Sequence, residues 1–336
     1  MRSVLVTGGA GFIGSHLVDQ LLDDGAAVRV LDNLSTGSLG NLHGAAGGHP
    51  RSGGSGRGGG RLEVVIGDIR DREVLRKAVR NVKYVFHLAG LPASAVPATT
   101  TGDVHAVNVE GTLNLLHAAL TEGVWRVVLG SCASVYGVPG AGPLGEDAPL
   151  RPASLFAASK VAAETYCRAF HARHQLDTVI LRYFTAYGPR QGGPYRAALI
   201  PELVDAMRGR RASVEVDERS AEDFMYVSDV VAATLAASRA PRAAGQAINV
   251  ASGETVSVGD VMSILANLLQ APPISCVPRD PHAPAYRICG QTALASELLD
   301  FTPRVSMVTG LAQVIQSMIE AEQPARAALA PVGFDD

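Results

Sequence analysis

Thr7-Gly8-Gly9-Ala10-Gly11-Phe12-Ile13-Gly14 stands between an apolar run, Ser3–Thr7, and a stretch, Phe12–Leu22, whose apolar residues recur at helical spacing. Strand, glycine-rich turn and helix in that order predict a dinucleotide site. Glycine at 8 and 11 lets the backbone turn sharply and approach a pyrophosphate. Glycine at 14 lets helix and strand pack closely, and the helix N-terminus, with Phe12 and Ile13 in its first turn, faces the phosphates. A second strand, Ala27–Leu31, runs into Asp32. A carboxylate there accepts both ribose hydroxyls and repels a 2′-phosphate, so the expected cofactor is NAD and not NADP.

Outward from this unit the alternation continues. Strand-like runs fall at Leu62–Ile66, Tyr84–Leu88, Arg126–Leu129 and Thr178–Leu181, with helical stretches at Arg72–Arg80, Val104–Leu120 and Ala157–His174 between them. The expected fold class is α/β: a Rossmann-type doubly wound parallel sheet with a smaller C-terminal substrate-binding lobe. Gly67-Asp68-Ile69 and His87-Leu88-Ala89-Gly90 close the third and fourth strands, at the carboxyl edge where a ligand crosses such a sheet. The expected division is an NAD-binding part, residues 1–187 with returning segments near 223–250, and a lobe at 188–320. In the lobe, Ala197–Met207 reads as a helix and Ser213–Val216 as a short strand. Ser257-Val-Gly-Asp260 has capping-box form ahead of the apolar helix Val261–Leu269. Residues 43–61, mostly Gly, Ser and Arg, read as a flexible insertion, and 322–336 as a frayed Ala/Pro-rich tail.

Composition excludes several classes. A formal charge of −3 gives no electrostatic footprint for nucleic acid, and no apolar run reaches membrane-spanning length. Four scattered cysteines form no C-x-x-C pair, which fits a reduced, cytoplasmic protein. His171 and His174 share a helical face but lack a third ligand at suitable spacing, so no metal is expected. Arg208-Gly-Arg-Arg211 reads as a solvated helix end.

Many ordered motifs resemble the extended short-chain dehydrogenase/reductase family, and within it the NAD-dependent nucleotide-sugar epimerases and dehydratases of the UDP-glucose 4-epimerase kind. Besides the opening turn they are Asp32-Asn33-Leu34-Ser35-Thr36-Gly37, Gly67-Asp68-Ile69, Asn108-Val-Glu-Gly111-Thr112 and Ser134-Val-Tyr-Gly137. They continue through Ala157-Ala-Ser-Lys160, Arg182-Tyr-Phe184, Tyr187-Gly-Pro-Arg190 and Asp223-Phe224-Met-Tyr226-Val227. The resemblance implies cofactor contacts at Asn33, Asp68, Ile69, Leu88, Ala89, Gly90, Asn108, Ser131, Lys160 and Tyr183, beside those of the glycine turn and Asp32. It implies substrate contacts at Ser134, Thr185, Leu199, Ile200, Val216 and Arg279. It also implies a UDP- or dTDP-hexose substrate and a homodimer packed through helices Val104–Leu120 and Ala157–His174.

The family's chemistry uses a Ser or Thr, a Tyr, and a Lys four residues after the Tyr, because residues i and i+4 share a helical face. The ammonium lowers the phenol's pKa so that it accepts the sugar hydroxyl proton. Lys160 is present here, but Phe156 stands where the tyrosine belongs and Cys132 stands in the Ser/Thr position. A thiol beside Lys160 ionises more easily; the plainer reading is a small residue making a weak hydrogen bond. On the substrate side, Thr185 replaces an Asn, Glu222 replaces an Arg that grips phosphate, and Arg279-Asp280-Pro281-His282 stands for an Arg-Pro-Gly-Asp segment, with Arg287 nearby. Three accounts stay open: a working enzyme with a rearranged acid–base set, a slow or non-catalytic relative, or an engineered Tyr→Phe change. Ala133 and Ser134 lie where the related dehydratases and decarboxylases carry carboxylates, so 4-epimerase chemistry, via transient oxidation to a 4-keto sugar, fits best.

Overall fold

The computed structural model describes residues 3–42, 60–91, 101–137, 142–192, 198–272, 274, 276–277 and 285–327. Six strands, β1 (Ser3–Thr7), β2 (Ala27–Asp32), β3 (Arg61–Ile66), β4 (Tyr84–His87), β5 (Arg126–Cys132) and β6 (Asp177–Tyr183), join the Ala247–Val250 strand in one sheet. Every neighbouring pair is parallel, and the order is β3, β2, β1, β4, β5, β6, then Ala247–Val250. Chain order reverses between β1 and β4. That switch point opens a crevice beyond the carboxyl ends of the strands, where open α/β sheets bind ligands. The doubly wound sheet agrees with the sequence reading, and each strand read from the apolar runs is present.

Two apolar layers flank the sheet. On one face α1 (Phe12–Asp23) and the Val227–Arg239 helix bury Leu17, Val18, Leu21, Val230 and Ala233 against Val4, Val6 and Phe86. On the other, the Arg72–Val79, Gly111–Thr121 and Leu155–His174 helices bury Leu75, Leu115, Leu116 and Cys167 against Leu5, Val85 and Ile180. Strands covered on both faces carry near-continuous apolar runs, which is why β1 and β5 were legible.

The stretch read as one helix, Val104–Leu120, is three pieces: a short helix Thr101–His105, a π-helical turn Ala106–Glu110, and Gly111–Thr121. The turn widens where the Asn108 side chain clasps the Leu91 peptide, accepting from its N–H at 2.7 Å and donating to its carbonyl at 3.1 Å. Periodicity does not register such a local clasp.

A third apolar core lies outside the sheet, built on Leu203, Val204, Val258, Val261, Leu265 and Leu311, all fully buried. Its helices are Leu199–Met207, Val258–Leu269 and Met307–Ala327. The capping box is formed, with Ser257 Oγ accepting from Asp260 N–H, and it starts the helix at Val258, three residues before the expected Val261. Val214–Glu215 is the short strand expected there, pairing with Cys276–Val277. Glu322, expected to open a frayed tail, lies within the last helix. Arg208 and Arg210 both grip its carboxylate at 2.6 Å, which corrects the reading of those arginines as merely solvated. Their hydrogen bonds, Arg210 first, hold the Glu322 carboxyl down to about 2. The insertion, apart from Gly60 and Arg61, and Arg279 fall outside the described residues.

Candidate active site

The glycine turn is dictated by close approach. Gly8 has φ +71°, and a Cβ there would lie 2.6 Å from Ala89 N; one at Gly14 would lie 2.1 Å from the Gly8 carbonyl oxygen. Nothing larger than hydrogen fits either place. Gly11 caps α1 without a side-chain acceptor, so the first N–H groups of the helix are left for an anion. Asp32 is buried at the end of β2, its two oxygens accepting from Ala10 N–H at 2.9 Å and Leu34 N–H at 2.8 Å. Each oxygen keeps acceptor capacity toward a ribose hydroxyl.

A cavity of about 560 Å³ runs along the carboxyl edge of the sheet. Of the residues expected at the cofactor, Gly8, Gly11, Phe12, Ile13 and Gly14 line it from the turn. Asp32, Asn33, Asp68 and Ile69 line one end; Leu88, Ala89, Gly90, Ser131, Lys160 and Tyr183 line the remainder. Asn108 is not on the wall; it acts through Leu91, which is. Uncapped helix N–H groups, a carboxylate at the end of β2 with spare acceptor capacity and glycines that admit no Cβ together fit a dinucleotide.

Several lining residues escaped the sequence reading: Arg70, Leu91, Asp103, Phe184, Ala186 and Gln191. Arg70 clamps Asp68 at 2.7 Å and, with Asn33 donating as well, holds the Asp68 carboxyl at about 2. Its place just past the carboxyl end of β3 is the signal that would have found it.

A polar chain crosses the buried edge. Thr112 Oγ1 donates to the Asn108 carbonyl, so toward His87 Nε2, 2.9 Å away, it accepts. His87 therefore carries its proton on Nε2, and Nδ1 accepts from Thr7 Oγ1 at 2.7 Å, which in turn accepts from Ala89 N–H. Burial, with a smaller push from Lys160, holds His87 down to about 3, and the ring stays neutral.

The other end of the cavity collects Cys132, Phe156 and Lys160. Ser154 caps the Leu155–His174 helix by accepting from Ala157 N–H, and four residues along one face put Phe156 and Lys160 side by side. Lys160 Nζ donates to the Gly130 carbonyl at 2.8 Å and lies 5.9 Å from the centre of the Phe156 ring. Cys132 Sγ and Ser134 Oγ are 2.7 Å apart. Burial pushes the Cys132 thiol up, outweighing the pull of Lys160 and of Ser134. The plainer reading of Cys132, a small residue in a weak hydrogen bond, is the one the geometry favours.

Among the described residues, the phenols of Tyr136, Tyr183 and Tyr187 do not replace the one a tyrosine at 156 would supply. Tyr136 donates to Asn249 Oδ1, Tyr183 shares a hydrogen bond with Thr234, and Tyr187 packs its hydroxyl against Gly310. Burial raises all three above the usual range. Glu164, one turn beyond Lys160, is fully engaged by Arg182 at 2.7 Å and by Ser131 Oγ at 2.6 Å.

Residues 4–251 match the NAD dependent epimerase/dehydratase family. The chain belongs to that family. UDP-glucose 4-epimerase of Mycolicibacterium smegmatis is 34% identical over 317 residues, spanning 93% of this chain and 97% of its own. UDP-N-acetyl-alpha-D-glucosaminuronate decarboxylase of Bacillus cytotoxicus is 31% identical over 338 residues, 96% and 99% of the two chains. A solved structure, MoeE5 in complex with UDP-glucose and NAD, is similar with a TM-score of 0.81 at 33% identity, covering 95% of this chain and 99% of that one. The cofactor of this nucleotide-sugar family, and of this chain, is NAD.

The substrate side of this family member is less conventional. Thr185 Oγ1 donates to Glu222 Oε2 at 2.5 Å and the Tyr286 hydroxyl donates to Glu222 Oε1, so the two departures from the expected phosphate grip meet each other. Arg287 points to Thr255 Oγ1. Thr185 and Ser134 do not line the cavity, but Phe184, next to Thr185 in the chain, and Cys132, hydrogen-bonded to Ser134, do. Leu199 and Ile200 open a lobe helix, Ile200 buried in its core, and Val216 packs on that core; none of the three lines the cavity. Among the described residues no His, Cys, Asp and Glu group could hold a metal, and no helix is long and apolar enough to cross a membrane.

Proposed function

We propose that the chain is an NAD-dependent nucleotide-sugar epimerase of the 4-epimerase type, working with Phe156 where the phenolic base belongs and Cys132 in place of the hydroxyl residue. One observation carries the choice of isomerase over lyase. Elimination of water or loss of a carboxyl group calls for a second acid–base residue, and among the described residues no free carboxylate stands beside Lys160. Of the cavity's carboxylates, Asp68 is clamped by Arg70, Asp103 acts electrostatically on the same guanidinium, and Asp32 accepts from Ala10 and Leu34 N–H; Glu164 is locked to Arg182.

Bound along the strand ends, NAD supplies a hydride acceptor for oxidation of the sugar at C4 and a donor for its return. The chain's own part is to orient it. Asp32 and Asn33 take the adenosine ribose, the α1 N-terminus takes the pyrophosphate, and Lys160 and Tyr183 border the nicotinamide end. Ser134, Thr185, Leu199, Ile200, Val216 and Arg279 are the substrate contacts of this proposal, with a UDP- or dTDP-hexose as ligand. A homodimer packed through the Gly111–Thr121 and Leu155–His174 helices is supported by exposed Leu120, Leu155 and Tyr166. Four unpaired thiols support a reducing, cytoplasmic setting.

A second reading has its own observation. With Cys132 pushed up and Tyr136, Tyr183 and Tyr187 each engaged or buried, the chain is an NAD- and nucleotide-sugar-binding relative that turns over slowly or not at all. Losing a positioned general base costs on the order of a hundred- to ten-thousand-fold. Proton NMR of UDP- and dTDP-hexoses incubated with the NAD-loaded protein decides. A 4-epimer supports the first reading; a bound but unchanged sugar supports the second; 4,6-dehydration or decarboxylation refutes the isomerase assignment.

A further inference from the structure

Lys160 is buried, and the one described carboxylate acting on it, Glu164, is bonded to Arg182. Its ammonium end touches the Gly130 carbonyl, and among the described residues it forms no ion pair. Phe156, the neighbour that would normally carry the acid–base proton, has none. We infer that Lys160 itself takes and returns the sugar hydroxyl proton at this site, directly or through one water. The inference rests on the epimerase reading above.

The groups facing Lys160 set its charge. From β5 comes Cys132, from β4 His87, and from its own helix Glu164 and Cys167; Asp103, also on the cavity wall, acts electrostatically on Arg70. Burial pushes Lys160 down from the ordinary lysine range, opposed by Cys132, Glu164 and Cys167. Both thiols are themselves pushed up by burial, Cys167 to about 12, so near neutrality they carry no charge to hold the ammonium. His87 is neutral, and the charge of Glu164 is spent on Arg182. Buried lysines so placed are the ones that serve as bases.

A neutral amine has two N–H bonds and one lone pair. One N–H goes to the Gly130 carbonyl, the second is left for a ribose hydroxyl of the cofactor, and the lone pair is left for the sugar hydroxyl. The O–H bond breaks and an N–H bond forms as the two electrons leave the sugar carbon with the hydride to the nicotinamide. Reduction of the ketone returns both, and Nζ is neutral again.

The chain contains three lysines, Lys77, Lys83 and Lys160, of which only Lys160 is buried. Labelling with [ε-13C]lysine therefore gives three signals, assigned with the surface variants Lys77→Arg and Lys83→Arg. The NAD-loaded protein is titrated by NMR while sugar turnover is followed over the same pH range. The Lys160 signal is expected to titrate below the other two, and kcat/KM to rise with pH through that same value. Lys160→Arg keeps the charge but accepts no proton, and is expected to lose on the order of a hundredfold in kcat while still binding NAD by calorimetry. A Lys160 signal titrating with or above the surface lysines overturns the inference, as does a Lys160→Arg variant of undiminished kcat. If the Lys160 signal titrates low and no sugar turns over, the epimerase reading itself has failed and the proposed role falls with it. That outcome is distinguishable from turnover beside an ordinary Lys160, which overturns the role alone.

Discussion

His87 makes folding stability depend on pH in a calculable way. In the fold it is locked between Thr7 and Thr112 as the neutral Nε2–H tautomer and titrates only near 3, whereas in the unfolded chain it takes a proton near 6.5. Between those values the unfolded state binds the proton and the folded state does not. Stability is therefore lost as pH falls through 6.5 and continues to fall toward 3. One pH unit corresponds to about 1.4 kcal/mol once the unfolded histidine is mostly protonated, so His87 costs about 1.4 kcal/mol at pH 5.5 and about 2.7 kcal/mol at pH 4.5, relative to pH 7.5. His87→Gln keeps one donor for Thr112 and one acceptor for Thr7 but does not titrate. Urea unfolding of both proteins at pH 7.5, 5.5 and 4.5 isolates the term, because every other titrating group cancels in the difference. The native chain is expected to lose stability faster than the variant by those amounts. Parallel pH dependences in the two proteins would refute the assignment of a neutral, locked His87.

Other perturbations follow from single contacts. In Gly14→Ala the new Cβ meets two backbone groups, 2.1 Å from Gly8 O and 2.8 Å from Gly9 Cα. The α1 N-terminus must shift, at a cost of about 1–3 kcal/mol, and calorimetry is expected to show NAD affinity down by more than about tenfold; unchanged affinity contradicts the turn's role. Glu164→Gln leaves the Arg182 guanidinium buried without its counter-charge, so urea unfolding should show a loss of about 3–5 kcal/mol, and a loss below about 1 kcal/mol contradicts it. Glu222→Arg removes the carboxylate that Thr185 and Tyr286 hold in the lobe. UDP binding is expected to tighten on the order of tenfold, and unchanged or weaker binding places the diphosphate elsewhere.

The fold was legible because its strands are buried on both faces and its helices on one, so apolar runs and apolar stripes alternate visibly along the chain. Most of the cavity was legible for a related reason: Gly8, Gly14 and Asp32 are required by local geometry at strand ends, which a linear pattern records. Contacts between distant segments were not. The clasp of Asn108 on Leu91 breaks a helix that looks continuous, and Glu322 meets Arg208 from more than a hundred residues away. Thr185 and Glu222 each departed from the family pattern in sequence; only folding reveals that they share one hydrogen bond. Cys132 invites a reading as a reactive thiol, but its desolvation at the half-buried cavity wall, invisible in sequence, pushes the thiol up.

The epimerase reading requires a site that is intact apart from its phenol. Turnover of a UDP-hexose by the native chain and by Phe156→Tyr, both loaded with NAD, tests it most directly. 4-Epimer formation is expected from both, faster in the variant by more than about tenfold, with the pH dependence passing from that of Lys160 to that of the restored tyrosine. A Phe156→Tyr protein that binds NAD and remains silent toward every hexose would contradict it.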